Sequence, residues 1–190
     1  MAINQYEKYE DDMDDISDQT FIGCNFDAIN FEDISNCRFE ECTFKGCDFN
    51  GSTIEYSAMT NCNFRFSSFF STLFVECKMT GSSFRDTDIA LADIKSGDWS
   101  LTDLSEQNFS KRKFENIDFS GTDFSFTDFS QASLSKCDLS GARFYNTKLI
   151  KSDIRGSKID QLGNVIMRDT KIDLEQSILL ARTLGGIFTP

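Results

Sequence analysis

The chain has 190 residues, a formal net charge of −12, no His, 1 Pro, 20 Phe and 7 Cys. Without His it lacks the commonest general base and the usual partner of a Ser or Cys nucleophile. It also has no glycine-rich phosphate loop and no metal-ligand spacing, so no catalytic role, cofactor or metal is expected. An acidic chain does not suit nucleic acid, and no apolar run reaches membrane-spanning length.

In chain order, residues 1–15 form an acidic stretch ("YEKYEDDMDD" within it) that is expected to be a mobile tail. Large apolar residues then recur every fifth position: Ile16, Phe21, Phe26 and Phe31. A slip of two residues follows, and the series restarts at Ile34 and runs unbroken to Ile159, 26 positions in all. A period of five matches neither helix nor strand alone, so the chain must turn once per repeat to bring each large residue to one core. That predicts a solenoid over residues 16–160, with a bend at 31–34.

Two residues before each large residue stands a small one, as at Cys37, Ser52, Thr72, Ala92 and Cys137. Residues two apart on an extended segment face the same side, so both columns point inward. The remaining positions are polar and turn-forming, which suits an outward, bending stretch. Gln107, Arg112 and Ile117 interrupt the small column and predict a local distortion. All seven Cys lie in small positions, where a free thiol packs as a small apolar group. An odd number of thiols and no secretory signal point to a reducing, cytoplasmic setting.

After Ile159 the repeat stops, and "KIDLEQSILLARTLGG" reads as a short helix. Asp173 is its expected N-cap and Gln176 completes a capping box. This last segment, 161–190, caps the open end or joins two copies. Ile178, Leu179, Leu184, Ile187 and Phe188 are the candidate dimer contacts.

Charge is uneven. Residues 1–140 carry 11 Lys and Arg against 26 Asp and Glu, whereas 141–190 carry 8 against 5. With coils stacked at roughly 4.8 Å, side chains that recur after every fourth repeat fall in one column. Asp98, Asp118 and Asp138 form one expected acidic column, and Asp103 with Asp123 another. Like charges facing each other on neighbouring strands destabilise a sheet, so such columns point to binding of a basic partner. The linear charge density, roughly one per 2–3 Å, approaches that of duplex DNA at about one per 1.7 Å.

The stretch "TDFSFTDFSQASLSKCDLSGARFYN" resembles the pentapeptide-repeat family. The resemblance implies an all-β solenoid, a right-handed quadrilateral β-helix with four repeats per coil. The ending "SDIRGSKID…KIDLEQSILLARTLGGIF" resembles the Qnr and MfpA-type members, without the projecting loops of the Gram-negative Qnr proteins. That implies a homodimer through the C-terminal end. It also implies an acidic, DNA-mimicking protein that protects DNA gyrase or topoisomerase IV from fluoroquinolones or related poisons. The alternative is a general interaction module that uses outward aromatics, Tyr56, Phe66 and Phe70 with Val75, as an apolar patch.

Overall fold

The computed structural model describes residues 2–187 and separates into two compact units that meet in sequence between Asp103 and Leu104. Each is a parallel β-solenoid of short strands.

In the N-terminal unit the chain visits four sides in turn. The first side carries Ile16–Ser17, Ile34–Ser35, Thr53–Glu55, Leu73–Val75 and Asp93–Ile94. The second carries Ala2–Gln5, Gln19–Ile22, Arg38–Glu40, Ala58–Thr60, Cys77–Lys78 and Gly97–Asp98. On the third, Lys8–Tyr9, Asn25–Asp27 and Thr43–Lys45 are continued by single bridges through Asn63, Ser83 and Asp103. The fourth is made of bridges alone, such as Asp48 to Ser68 and Ser68 to Asp88. In the regular part of the unit one coil takes four repeats, with Ile34 beside Ile54 and Ile54 beside Phe74.

This register explains the period of five. Each large side chain sits on its equivalent one coil away and touches its neighbours on adjacent sides. Phe64 stacks on Phe44 at 4.9 Å and on Phe84 at 4.8 Å, and meets Phe69 edge-on at 5.4 Å. Such aromatic pairs contribute about 0.5–1.5 kcal/mol each beyond the burial of their area. Of the residues in the series from Ile34, all are buried except the last, Ile159, which is half-exposed.

The small column has a polar task as well as a steric one. Ser67, Thr72, Ser82 and Thr87 donate their hydroxyls to the carbonyls of Phe44, Phe49, Met59 and Phe64 in the preceding coil, at 2.6–2.9 Å. Cys77 does the same toward Ile54 through Sγ at 3.1 Å. A buried carbonyl lone pair gains a donor without loss of space. All seven Cys are free and buried. Burial pushes the thiols of Cys47, Cys77 and Cys137 up to about 11.

Corners fall two residues after the large position, where the backbone turns left-handed. Tyr56 (φ 48°), Phe66 (φ 65°) and Ser71 (φ 59°) adopt this conformation, as do Gly51 and Gly81. A non-glycine residue there is strained by roughly 1–2 kcal/mol. At many corners the next amide closes a turn onto the large residue's carbonyl, as from Thr72 to Phe69.

Two expectations are revised in this unit. The register slip, expected as a bend, produces a shortened coil: Ile16, Phe21, Phe26 and Phe31 lie beside Ile34, Phe39, Phe44 and Phe49. The Phe21–Phe39, Phe26–Phe44 and Phe31–Phe49 rings stay within 8° of parallel, because the two missing residues are absorbed in one corner. The acidic stretch expected as a tail is also ordered. Ala2–Gln5 and Lys8–Tyr9 pair with the next coil in a register one residue shorter still, and the Tyr9 ring stacks on Phe26 at 4.9 Å. Asn4, Tyr9 and Met13 stand beside Phe21, Phe26 and Phe31, so an end ring and not the repeat period holds this stretch.

The C-terminal unit repeats the scheme with Leu replacing many Phe. Lys113–Glu115 pairs with Ser133–Ser135, Asp118 bridges Asp138, Asp123 bridges Arg143, and Asn108, Asp128 and Lys148 follow one another. At Gln107, Arg112 and Ile117, where a distortion is expected, bonding to the following coil is regular. The amides of Asp128, Ser133 and Asp138 donate to their carbonyls as at other small positions. Gln107 and Ile117 are buried.

Pairing outlasts the sequence repeat, since Lys148 bridges Ile166 and Asp153 bridges Lys171, again in a coil shortened by two residues. The helix Leu174–Thr183, α1, then closes the end with the expected capping box. Gln176, its one buried residue, donates to the carbonyls of Ile154 (2.7 Å) and Ser157 (3.1 Å), while Asp173 accepts from the Gly156 amide.

Candidate binding surface

With both inward columns consumed by packing, chemistry is left to the three outward positions of each repeat. Among the described residues no group of three or more His, Cys, Asp or Glu could hold a metal ion. No helix among them is long and apolar enough to cross a membrane. The unit boundary also sharpens the charge asymmetry. Residues 1–103 carry 7 Lys and Arg against 20 Asp and Glu, net −13, whereas 104–190 carry 12 against 11, net +1.

The five Asp singled out from the sequence divide between the units: Asp98 and Asp103 in the first, Asp118, Asp123 and Asp138 in the second. Each stands just before a large residue, and at that position the carboxylate has a local job. Asp98, Asp118, Asp123 and Asp138 accept the amide two residues on, at Ser100, Ser120, Ser125 and Ser140, at 2.8–3.0 Å. Asp or Asn therefore recurs there as a turn-stabilising acceptor. Asp103 bridges Ser83.

Nor are the columns uniformly acidic. In the N-terminal unit Asp98 stands beside Lys78, with Oδ2 3.5 Å from its Nζ, and also accepts Thr80 Oγ1. Partial burial works against ionisation of Asp98, but the hydrogen bonds from Ser100 and Thr80 and the positive charge of Lys78 outweigh it and hold its carboxyl below the usual range. In the C-terminal unit Asp118 does neighbour Asp138, as expected. There, however, Lys158 pairs with Asp138 (3.0 Å), Arg143 with Asp123 (3.3 Å) and Lys148 with Asp128 (3.5 Å). Sign alternation relieves the like-charge cost that motivated the columns.

The acidic surface that sequence reading missed is on the first side of the N-terminal unit. Asp15, Asp33 and Glu55, with Ser17, Ser35 and Thr53, line an open groove of about 350 Å³. Asp15 accepts the Asp33 amide at 3.3 Å and Asp33 accepts the Thr53 amide at 2.6 Å, which fixes these two carboxylates along the groove. The signal was present in the register slip, which brings Asp15 level with Asp33 because that coil is short.

Of the candidate dimer contacts, Ile178 and Leu179 are half-buried, whereas Leu184 and Ile187 are almost wholly exposed. Phe188 lies outside the described residues. Leu174, at the start of α1, is exposed as well. The aromatics proposed as one patch do not form one. Tyr56, Phe66 and Phe70 are exposed but Val75 is half-buried, and they fall on different sides or corners of the coil. An aromatic pair that the sequence did not single out, Phe126 and Tyr145, meets edge-on at 5.4 Å on the exterior of the C-terminal unit.

Short parallel strands, a corner every fifth residue and paired inward columns define a solenoid of five-residue repeats. The family model for pentapeptide repeats matches in 8 copies, over residues 24–65 in the first unit and 122–161 in the second. Those two stretches, one in each unit, are pentapeptide repeats. The fold of the chain is that of QnrB1, described as a plasmid-mediated fluoroquinolone resistance protein. A trypsin-treated form of QnrB1 aligns with a TM-score of 0.63 at 23% identity, covering 98% of this chain and 97% of that one. Full-length QnrB1 aligns with a TM-score of 0.59 at 24% identity, covering 97% of each. At such identity the likeness establishes the fold. None of the curated protein sequences compared with the chain matches it.

Proposed function

We propose that this protein is a non-enzymatic binding protein that engages the DNA-facing basic surface of a type II topoisomerase, DNA gyrase or topoisomerase IV. There it counteracts fluoroquinolones or similar poisons. The observation that carries the reading is the end-to-end fold likeness to a fluoroquinolone resistance protein. The charge of −13 on residues 1–103 supports it, since a basic, DNA-binding surface attracts such a body electrostatically. The carboxylates of Asp15, Asp33 and Glu55 in the first-side groove are the favoured contact, with Asp98, Asp103, Asp118, Asp123 and Asp138 contributing field.

The protein acts as a homodimer in this reading, joined through α1 and its tail, where Leu174, Leu184 and Ile187 present apolar area to solvent. A cytoplasmic setting keeps its seven buried thiols reduced.

A supercoiling assay with added fluoroquinolone tests the function. Addition of the protein should restore supercoiling, and its binding to the topoisomerase should weaken as salt rises. Asp15→Asn, Asp33→Asn and Glu55→Gln together should remove the effect while the circular dichroism spectrum stays native. Absence of both rescue and salt-sensitive binding rules the reading out and leaves a general interaction module with another partner. Light scattering tests the dimer, with Leu184→Asp and Ile187→Asp expected to give monomer.

A further inference from the structure

The third side of the N-terminal unit departs from its surroundings in charge. Residues 1–103 contain seven cations. Five are in ion pairs: Lys8 with Glu10, Arg38 with Glu40, Arg65 with Asp86, Lys78 with Asp98 and Lys95 with Asp93. Lys45 and Arg85 have no ionic partner among the described residues. In a unit with nearly three carboxylates per cation these two stand out, although Asp27 lies beside Lys45 in the strand register and Asp86 pairs with the neighbouring Arg65.

Those two flank Arg65 in a single column. Lys45, Arg65 and Arg85 each follow a stacked phenylalanine, Phe44, Phe64 and Phe84, whose rings are 4.9 and 4.8 Å apart. The column thus runs about 10 Å, two coil spacings. All three side chains are exposed. On the other flank of the same phenylalanines, Thr43, Asn63 and Ser83 form a parallel uncharged row joined by bridges. Asn63, Arg65, Ser83, Arg85 and Asp86 line an open groove of about 300 Å³ between the rows. At its edge the Arg65 guanidinium lies 4.7 Å from the centroid of the Phe66 ring. Stacking three like charges opposes folding, so the arrangement is not explained by stability.

We propose that this side docks an acidic, extended polypeptide segment of a partner protein. Its carboxylates pair with Lys45, Arg65 and Arg85, and its backbone meets Asn63 and Ser83. Guanidinium forks match carboxylates in geometry as well as charge. Charge complementarity favours a short acidic peptide over a nucleic acid. Two or three carboxylates satisfy a column about 10 Å long, whereas a longer polyanion also meets Asp27 beyond Lys45 and the net −13 of the unit. The surface is separate from the acidic groove of the first side and does not depend on the topoisomerase reading.

The test is fluorescence polarisation of a labelled, end-blocked triglutamate peptide with the full chain at low ionic strength. The peptide should bind, and the triple variant Lys45→Gln, Arg65→Gln, Arg85→Gln should bind at least about tenfold more weakly, the combined effect of three exposed ion pairs. Lys148→Gln with Lys158→Gln should change little, and labelled octathymidylate should bind less well than the peptide. Should the triple variant lose its native circular dichroism, Lys45→Gln and Arg85→Gln singly carry the comparison, since those side chains make no ion pair among the described residues. Absence of binding, equal binding by the variants, or an oligonucleotide that binds as tightly as the peptide overturns the proposal.

Discussion

A Cβ placed on Gly97 would stand 2.1 Å from the carbonyl oxygen of Cys77, directly across the adjoining coil. Gly97 also has φ +125°, a backbone conformation that side chains oppose. It stands in the small column, where Ser, Thr, Ala and Cys serve elsewhere, yet here even a methyl group is too much. Gly97→Ala should therefore destabilise the protein by about 2–4 kcal/mol, through strain and forced separation of the strands. Chemical denaturation measures it, and a change below about 0.5 kcal/mol would contradict the geometry.

Phe64 and Phe66 are two residues apart and should respond oppositely to truncation. Phe64 is fully buried between Phe44 and Phe84, so Phe64→Ala should cost about 3–5 kcal/mol as a cavity opens in the stack. Phe66 is exposed at a corner, and Phe66→Ala should stay within about 0.5 kcal/mol. Parallel urea titrations compare them.

Thiol ionisation should make stability fall in alkali. Cys47, Cys77 and Cys137 have folded pKa values of about 11 against an ordinary 9.0, because burial disfavours the thiolate. Above pH 9 the unfolded chain loses these protons and the folded chain keeps them, so folding stability declines with rising pH. Near pH 10 the slope should approach about 3 kcal/mol per pH unit. Replacement of the three by Ser should flatten it. A thiol reagent such as DTNB should react only as fast as the protein opens.

Gln176 joins α1 to the last coil through two carbonyls and completes the capping box with Asp173. Gln176→Ala removes a donor to the buried carbonyl of Ser157 together with the capping-box bond to Asp173, and should cost about 1–3 kcal/mol. The loss should be local, seen as faster hydrogen exchange of the α1 amides with the earlier coils unchanged.

The period of five was legible because one rule repeats: a large residue and a small one at fixed spacing must both reach the core. The helix was legible too, since Asp173 and Gln176 lie within one turn of each other and capping is local. Less legible was the N-terminal coil, where Asn4, Tyr9 and Met13 replace the usual large residues and only pairing with the next coil reveals their place. The acidic columns were read from spacing alone. Spacing could not show that Asp98 and Asp138 close local turns and meet Lys78 and Lys158.

Sequence by itself determined which residues are inside, since inward and outward positions alternate by a rule that needs no knowledge of distant neighbours. Only the tertiary structure decided what each outward charge faces. The sequence distance to a neighbour one coil away changes along the chain, because corners absorb different numbers of residues. Ala2 meets Gln19, Ile16 meets Ile34 and Ile34 meets Ile54, three different registers in successive coils. A shift of two residues changes every partner on the surface while leaving the core pattern intact. Hence the solenoid could be inferred from period, but the groove of Asp15, Asp33 and Glu55 appears only once the shortened coil is stacked on the next.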